Sequence, residues 1–501
     1  MRSDSGLPAC EEVPLSSVTF EIGKALGEVL AQAGYDEESV YELVREDGLD
    51  FGRGVAALRL RPSANERLGR LLRLFLAGEE LEASAVAAAV APLTLEELMT
   101  AGLVERSDGG IRALVRLDAV EGLIVASDHH LPGRRLSHDH VIAPGPGSRT
   151  LAAFTIRTCV GTALDLCCGS GVQALLAARQ AGKVVATDLN ARALELAALS
   201  AALSGVENVE WKPGDLFEPV RDERFDLIVS NPPFVISPAR DFTFRDGGRR
   251  GDEFSHLVVA GIASRLTDMG LGHALCSWIR SDGEHWSETP RSWLEGCGCD
   301  VVILHLDSEG PVTHAVRWTS ADAPTPAEAI EQAAAWVDYY RELGIERIAT
   351  GVVVLRRRAG RNWVHTEELV SARSGSGDHL ARIFAGHDAL EHVVADGELL
   401  SHRLSLAPEV RLVERRAAGG RLERARLSAD VGMQLPARVT PLTAAPALHE
   451  LNGIRTLAEA GARAGVAPGE LEAALPCFRN LVERGYLVCS DRPDRPGGDQ
   501  P

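Results

Sequence analysis

The chain reads as an α/β protein: a mostly parallel sheet in its middle, with a helix-rich domain before it and a smaller α+β domain after it. Three observations predict this. Apolar residues 162–166, a turn at Gly169 and Gly171, and a helical pattern over 172–179 make one strand–turn–helix unit. A second apolar strand, 184–187, ends in Asp188, and a third, 225–230, runs into Asn231-Pro232-Pro233-Phe234. Outside this block the pattern changes to helices followed by alternating segments, at both ends. At 501 residues the chain is too long for one compact core, so three domains are expected, 1–127, 128–360 and 361–490, with a disordered tail over 491–501.

From the start, Val18, Ile22, Leu26, Val29 and Leu30 recur at helical spacing, Asp36 caps a second helix through Arg45, and 64–76 reads as a third, followed by an alanine-rich stretch. Thr94 caps a helix that ends near Gly102. Segments 103–105, 111–117 and 122–126 then alternate around Ser107-Asp108-Gly109-Gly110. Helices and then a hairpin outline a winged helix. Glu105 and Asp108 flank Arg106 at the presumed wing, so substrate docking or structural support is expected rather than DNA binding. His138-Asp139-His140 follow; without a third partner they are expected to be hydrogen-bonded loop residues, with no metal bound.

The central block carries the chemistry. Glycine lacks a Cβ, so the turn at Gly169 and Gly171 lets the backbone lie directly against a ligand. Asp188 stands where a nucleoside-binding α/β unit places its ribose hydroxyl acceptor. Gln173 and Ala174 follow Gly171, so the glycines do not continue into the helix and a pyrophosphate is not expected. The Asn-Pro-Pro-Phe tetrapeptide follows a strand, which puts it at the carboxyl edge of the sheet, where α/β folds bind ligands. Pro232 and Pro233 donate no hydrogen bonds and restrict the backbone. The Asn231 side-chain oxygen and a backbone carbonyl can then be held as two acceptors suited to an NH2 group, with Phe234 lying on the planar group that carries it. A helix over 257–266, strands 273–279 and 301–306, a helix over 326–343 and a strand 348–355 complete the sheet. Arg356-Arg357-Arg358 closes it as a solvated strand end or as an edge of a substrate groove.

Asp165, Gly169 and Gly171 resemble the first motif of the class I S-adenosylmethionine (SAM) dependent methyltransferases, an acidic residue followed by alternating glycines in a Rossmann-like sheet. Cys167 stands where that family has its first glycine, making the turn bulkier. The resemblance implies SAM as cofactor, with Asp165 helping to hold its methionine part, Asp188 its ribose hydroxyls and Asp215 facing the adenine amino group. Cys167, Leu189, Leu216 and Asn231 would complete the rim. Asn231-Pro232-Pro233-Phe234 is similar to the tetrapeptide of the release-factor glutamine, rRNA guanine-N2 and adenine-N6 methyltransferases. Residues 246–254, Asp-Gly-Gly-Arg-Arg-Gly-Asp-Glu-Phe, resemble the segment that follows it in the glutamine group, whereas 139–141 and 148–152 resemble the approach to the first strand in the RNA group. The resemblance spans about 128–358 and implies N-methyl transfer to a planar nitrogen, with Asn231, Pro232 and Phe234 as catalytic residues. A side-chain amide of a protein or peptide is the favoured acceptor. A nucleobase amine of RNA or DNA is the alternative, and a non-catalytic SAM-binding scaffold or regulator is the rival of another class.

The net charge of −19 and pI near 5.3 argue against a broad nucleic-acid surface, although a local basic groove stays compatible with an acidic chain. Nine scattered cysteines without a C-x-x-C pair point to a reducing compartment and no structural zinc. The polar, acidic residues 1–14, and the lack of any apolar stretch of membrane-spanning length, predict a cytoplasmic protein that does not bind membranes. Beyond 361 a helix near 379–384, strands 402–406, 410–415 and 422–427, helices 447–451, 456–464 and 470–483, and a strand at 485–488 echo the N-terminal pattern. A second winged-helix-like unit is expected there, and the two end domains are candidate surfaces for a homodimer.

Overall fold

The computed structural model describes residues 17–44, 51–58, 65–129, 136–281, 283–320, 325–372, 375–435 and 437–490. The tail 491–501 and the first residues, 1–16, lie outside the described residues. Two units divide the chain: 1–152 with 158–366, and 153–157 with 367–501.

The first unit is built on a sheet whose strands are β1 (Val160–Leu166), β2 (Ala181–Asp188), β3 (Val209–Pro213), β4 (Phe225–Ser230), β5 (Leu266–Arg280), β6 (Cys299–Glu309) and β7 (Arg347–Arg357), with the edge strand β8 (Val364–Glu368) beside β6. Their order across the sheet is β8-β6-β7-β5-β4-β1-β2-β3. Strands β1 to β5 are parallel, and β7 runs antiparallel between β5 and β6. This is the strand order of the class I methyltransferase sheet. The chain reverses direction across the sheet between β1 and β4, and the loops leaving their carboxyl ends open the crevice in which such sheets hold ligands. Helices α1 (Val172–Ala178), α2 (Ala191–Ser204), α3 (Glu253–Arg265) and α4 (Pro326–Glu342) cover the faces. Burial on both sides explains why β1 and β4 read as continuous apolar runs: Leu164, Leu166, Leu227 and Ile228 are fully buried.

The N-terminal part follows its periodicity. Leu26, Val29 and Leu30 are buried along the helix Ser17–Gln32, Asp36 accepts the Ser39 N–H at 2.8 Å, and Thr94 and Glu97 form a reciprocal cap. Where the alternation suggested one strand over 111–117, the chain instead makes two hairpins, Val104–Ser107 with Gly110–Ala113 and Arg116–Val120 with Leu123–Ser127. The second hairpin is fastened to α2: Ser200 Oγ accepts the Ala126 N–H at 2.8 Å and Ser204 Oγ the Ile124 N–H at 3.0 Å. Leu196, Leu199 and Leu203 of α2 also join the N-terminal core, so this part packs onto the sheet's helical layer.

One expectation is overturned. Arg356 is neither a solvated strand end nor a groove edge; it is 6% exposed and donates to the fully buried Asp300 at 2.8 Å, and Arg358 approaches the same carboxylate at 3.3 Å. The β6–β7 register sets Asp300 opposite Arg356, a pairing across 56 residues that local pattern does not reveal.

In the second unit the helices Ser376–Leu390 and Pro468–Glu483 accompany a three-stranded sheet, β9 (Val410–Arg416), β10 (Leu422–Ala429) and β11 (Ala437–Arg438), in the order β9-β10-β11. The buried Tyr486 donates to the Leu435 carbonyl at 3.0 Å, and Thr456 and Glu459 make a capping box. Among the described residues no helix is long and apolar enough to cross a membrane.

Candidate active site

A cavity of about 540 Å³ lies at the carboxyl ends of β1, β2 and β4. It brings together Asp165, Cys167, Gly169, Asp188, Leu189, Asp215, Leu216, Asn231, Pro232 and Phe234, all but one of the residues singled out in the sequence. The exception is Gly171. It caps α1 in a left-handed conformation (φ 82°), and a Cβ there would meet Ala197 at 2.8 Å and Trp211 at 3.2 Å, so its part is to let the turn pack onto α2 and β3.

The loop after β1 places its left-handed residues alternately, at Cys167 (φ 59°), Gly169 (φ 54°) and Gly171 (φ 82°). A glycine at 167 would adopt this conformation freely; cysteine holds it against its own Cβ. Asp165, at 1% exposure, accepts the Ala174 N–H through Oδ2 at 2.8 Å, while Oδ1 is buried with no hydrogen-bond partner. Burial pushes its carboxyl up to about 8, and the Asp188 charge adds to this while the Ala174 N–H opposes it. Asp188 accepts the Gly169 N–H through Oδ2 at 2.8 Å and the Asn190 N–H through Oδ1 at 2.9 Å. A carboxylate oxygen has two lone pairs, so both can still accept from a hydroxyl. Burial also raises the Cys167 thiol, which stays neutral. Leu189 is 66% exposed at the rim, an apolar surface for a flat ring, and Leu216 beside the exposed Asp215 is again left-handed, at φ 49°.

The loop after β4 presents Asn231 with its Oδ1 buried and without a hydrogen-bond partner. Its rigidity comes from outside as well as from its two prolines. The Asp246 carboxylate binds the Ser237 hydroxyl at 2.7 Å, the Asp241 N–H at 2.9 Å and the Arg245 Nε–H at 2.8 Å, closing residues 237–246 into one compact turn. Gly247 then passes so close to Pro233 and Phe254 that a Cβ would lie 2.9 Å from the Pro233 carbonyl oxygen and 2.6 Å from the Phe254 ring. Arg245 is held between the rings of Phe242 and Trp336, at 4.8 and 5.1 Å from their centroids. The segment beginning at Asp246 is thus the buttress of the tetrapeptide.

No local pattern in the chain points to the roof of the cavity. His138 Nδ1 lies 2.7 Å from the Asp241 carbonyl oxygen, and the His138 carbonyl accepts the Thr243 N–H at 3.2 Å. Phe242 and Phe244 stack at 5.3 Å beside it, and His138, Phe242, Thr243 and Phe244 line the cavity. Residues 138 and 243 are too far apart in the chain for any periodicity to link them. Among the described residues no group of three histidines, cysteines or carboxylates could hold a metal ion.

Residues 138–244, which span both loops and the roof, match the family model described as methyltransferase small domain. This stretch is therefore similar to a methyltransferase domain. Residues 32–114 match a domain of unknown function, DUF7059. The chain is 48% identical over 144 residues to a release factor glutamine methyltransferase of Xylella fastidiosa, covering 28% of this chain and 50% of that protein. It is 47% identical over 152 residues to a ribosomal protein uL3 glutamine methyltransferase of Bradyrhizobium diazoefficiens, covering 28% and 48%. The chain therefore spans about half the length of the curated relatives it matches. Among solved structures, wild-type Trm5b of Pyrococcus abyssi aligns over 50% of this chain and 62% of its own with 15% identity and a TM-score of 0.30; the fold is read from the strand order instead.

Proposed function

We propose that the chain is a SAM-dependent N-methyltransferase whose acceptor is the side-chain amide of a glutamine in a protein of the translation machinery. The observation that carries this reading is the unpartnered, buried Oδ1 of Asn231 at the cavity wall. An acceptor atom left dry and unpaired is costly unless a ligand supplies the donor. The N–H of a primary amide is such a donor.

The cavity suits the cofactor on the same grounds. The second orphaned oxygen, Asp165 Oδ1, can take the ammonium of the methionine part, the Asp188 oxygens the ribose hydroxyls, and the exposed Leu189 one face of the adenine. SAM, when bound, supplies a methyl group on a sulfonium. Asn231 fixes the amide nitrogen by accepting one of its hydrogens, and its hold strengthens as that nitrogen becomes positive, which is the condition for raising the rate. Pro232 and Pro233 keep the oxygen in place. Phe234 bears on the amide plane, and the roof at His138 and Thr243 excludes water. No strong base is needed, because the proton can leave after the transfer.

Two relatives that share the methyltransferase region act, by their names, on a release factor and on ribosomal protein uL3, which is why a glutamine is favoured over a nucleobase. The test is transfer from labelled SAM to recombinant release factor and uL3 beside total RNA, with the site read by mass spectrometry. A gain of one methyl on a glutamine is expected. Label that survives protease and disappears with nuclease would replace the amide by a nucleobase amine.

A further inference from the structure

From the sheet of the second unit, we infer that it docks the phosphate backbone of an RNA strand. Residues 403–438 hold eight arginines against four carboxylates in a chain whose net charge is −19. Pleating sorts them. Ala425, Leu427, Ala429 and Ala437 turn inward and are buried, whereas Arg411, Arg415, Arg424, Arg426 and Arg438 are exposed, at alternating positions of β9, β10 and β11.

The register then sets like charges face to face, Arg415 opposite Arg424 and Arg426 opposite Arg438. Such pairs destabilise a sheet. Arg411 meets Asp430 at 2.5 Å and Arg415 approaches Glu423 at 3.8 Å, but Arg424, Arg426 and Arg438 have no carboxylate partner among the described residues. A polyanion laid along the face would remove the repulsion. Neighbouring strands lie about 4.8 Å apart and every second residue about 6.8 Å, a grid on the scale of successive phosphates in an extended strand. Residues 403–438 contain no aromatic side chain, so bases have no platform to stack on and the contact reads backbone, not sequence. The choice of RNA as the polyanion rests on the proposed acceptor in translation; the arginine face does not. None of its residues lines the methyl-transfer cavity.

The experiment titrates the full chain into a fluorescently labelled, mixed-sequence RNA 20-mer and follows anisotropy as salt is raised from about 50 to 200 mM. With each neutralised phosphate contributing about 0.7 to the slope of log K against log salt, five arginines give a slope near −3.5, and Arg424→Thr/Arg426→Thr/Arg438→Thr brings it to about −1.4 with at least tenfold weaker binding. The corresponding Arg→Lys triple keeps the slope. Both triples should methylate a glutamine peptide at the wild-type rate, so loss of RNA binding and failure of the proposed activity are read separately. Wild type that binds no RNA, a threonine triple that binds as wild type does, or a lysine triple as weak as the threonine one overturns the inference. Tighter binding to polyglutamate or to anionic phosphatidylserine vesicles than to RNA overturns it in favour of an acidic protein or a membrane surface.

Discussion

The two loops that form the floor of the cavity hold their functional atoms by opposite means. The loop after β1 is held mostly at close range: the ten residues from Asp165 to Ala174 hold the carboxylate, three left-handed backbone positions and the Ala174 N–H, and Asp188 at the end of the next strand accepts the Gly169 N–H. The loop after β4 has no left-handed residue between Asn231 and Asp246 and borrows its stiffness from the buttress at Asp246, Gly247 and Phe254, up to twenty residues downstream. The difference teaches where binding and catalysis are separable. A local turn can present a cofactor site by itself, whereas an acceptor clamp has to be positioned against a second molecule and needs support from two sides.

The largest effect expected is at the clamp. Losing an oriented electrostatic partner commonly costs about 10² to 10³ in rate, so Asn231→Ala should leave little turnover while SAM affinity, measured by calorimetry, changes little. Asn231→Asp sharpens the contrast by keeping an acceptor and adding charge. Normal turnover by Asn231→Ala on the true substrate would reduce the tetrapeptide to a turn.

Next comes the buttress. Gly247→Ala would drive a methyl into the Pro233 carbonyl and the Phe254 ring, and a displacement of about 1 Å at a reacting group can cost roughly 10² in rate. The expected signature is a fall in kcat with an unchanged Kd for SAM, because the hydrogen bonds that hold the β1 loop, at Ala174 and Asp188, lie outside this segment. Equal loss of both would show that the two loops are one mechanical unit.

This division also explains what the sequence disclosed. The strands 160–166, 181–188 and 225–230 and their carboxyl-end residues were legible because a parallel sheet buried on both faces leaves continuous apolar runs that end in polar loops. The acidic residue, the turn and the tetrapeptide are local and could be placed on those ends. What stayed hidden depends on distance in the chain. Asp300 with Arg356, His138 with Thr243 and Gly247 with Pro233 are brought together by register and loop closure, and nothing near Arg356 signals a buried carboxylate on the next strand. The arginine face was hidden for another reason. Its segments were visible as alternating, yet only the pairing of β9, β10 and β11 shows that their charges stand opposite one another.

A smaller effect should separate the loops by pH. Asp165 keeps its proton in the folded, unliganded protein up to about pH 8, whereas in an unfolded chain an aspartate ionises near pH 4. Its contribution to stability is therefore complete below pH 4 and is lost as pH rises to about 8. Holding an ammonium requires the ionised form, so SAM affinity should climb between pH 6 and 8, by at most about tenfold per unit, with proton release on binding. Calorimetry in buffers of different ionisation enthalpy reads that proton. In Asp165→Asn both the climb and the release should vanish. A pH-independent affinity in the wild type would mean that the carboxylate is not what meets the cofactor's charge. The clamp at Asn231 has no titrating group, so single-turnover rates at saturating SAM should not share this profile.

The smallest effect lies in the backbone of the β1 loop itself. A residue with a Cβ held left-handed costs about 1–2 kcal/mol, and Cys167 at φ 59° carries that cost. Cys167→Gly removes the strain but gives the unfolded chain extra freedom worth roughly 0.5–1 kcal/mol, and it loses the packing of a partly buried sulfur against the core. These nearly cancel, so comparison with wild type decides little. Comparison with Cys167→Ala does. Both variants lose the sulfur, but only alanine keeps the strain, so the glycine variant should be the more stable by about 1 kcal/mol in denaturant midpoints. If alanine is the more stable, the turn is not strained at 167. Cofactor affinity then tells what the strain is for: if the loop is already formed without SAM, glycine and alanine variants bind equally. If the glycine variant binds more weakly, the cysteine holds the loop in its binding shape, and the β1 loop stores in its backbone what the other takes from its buttress.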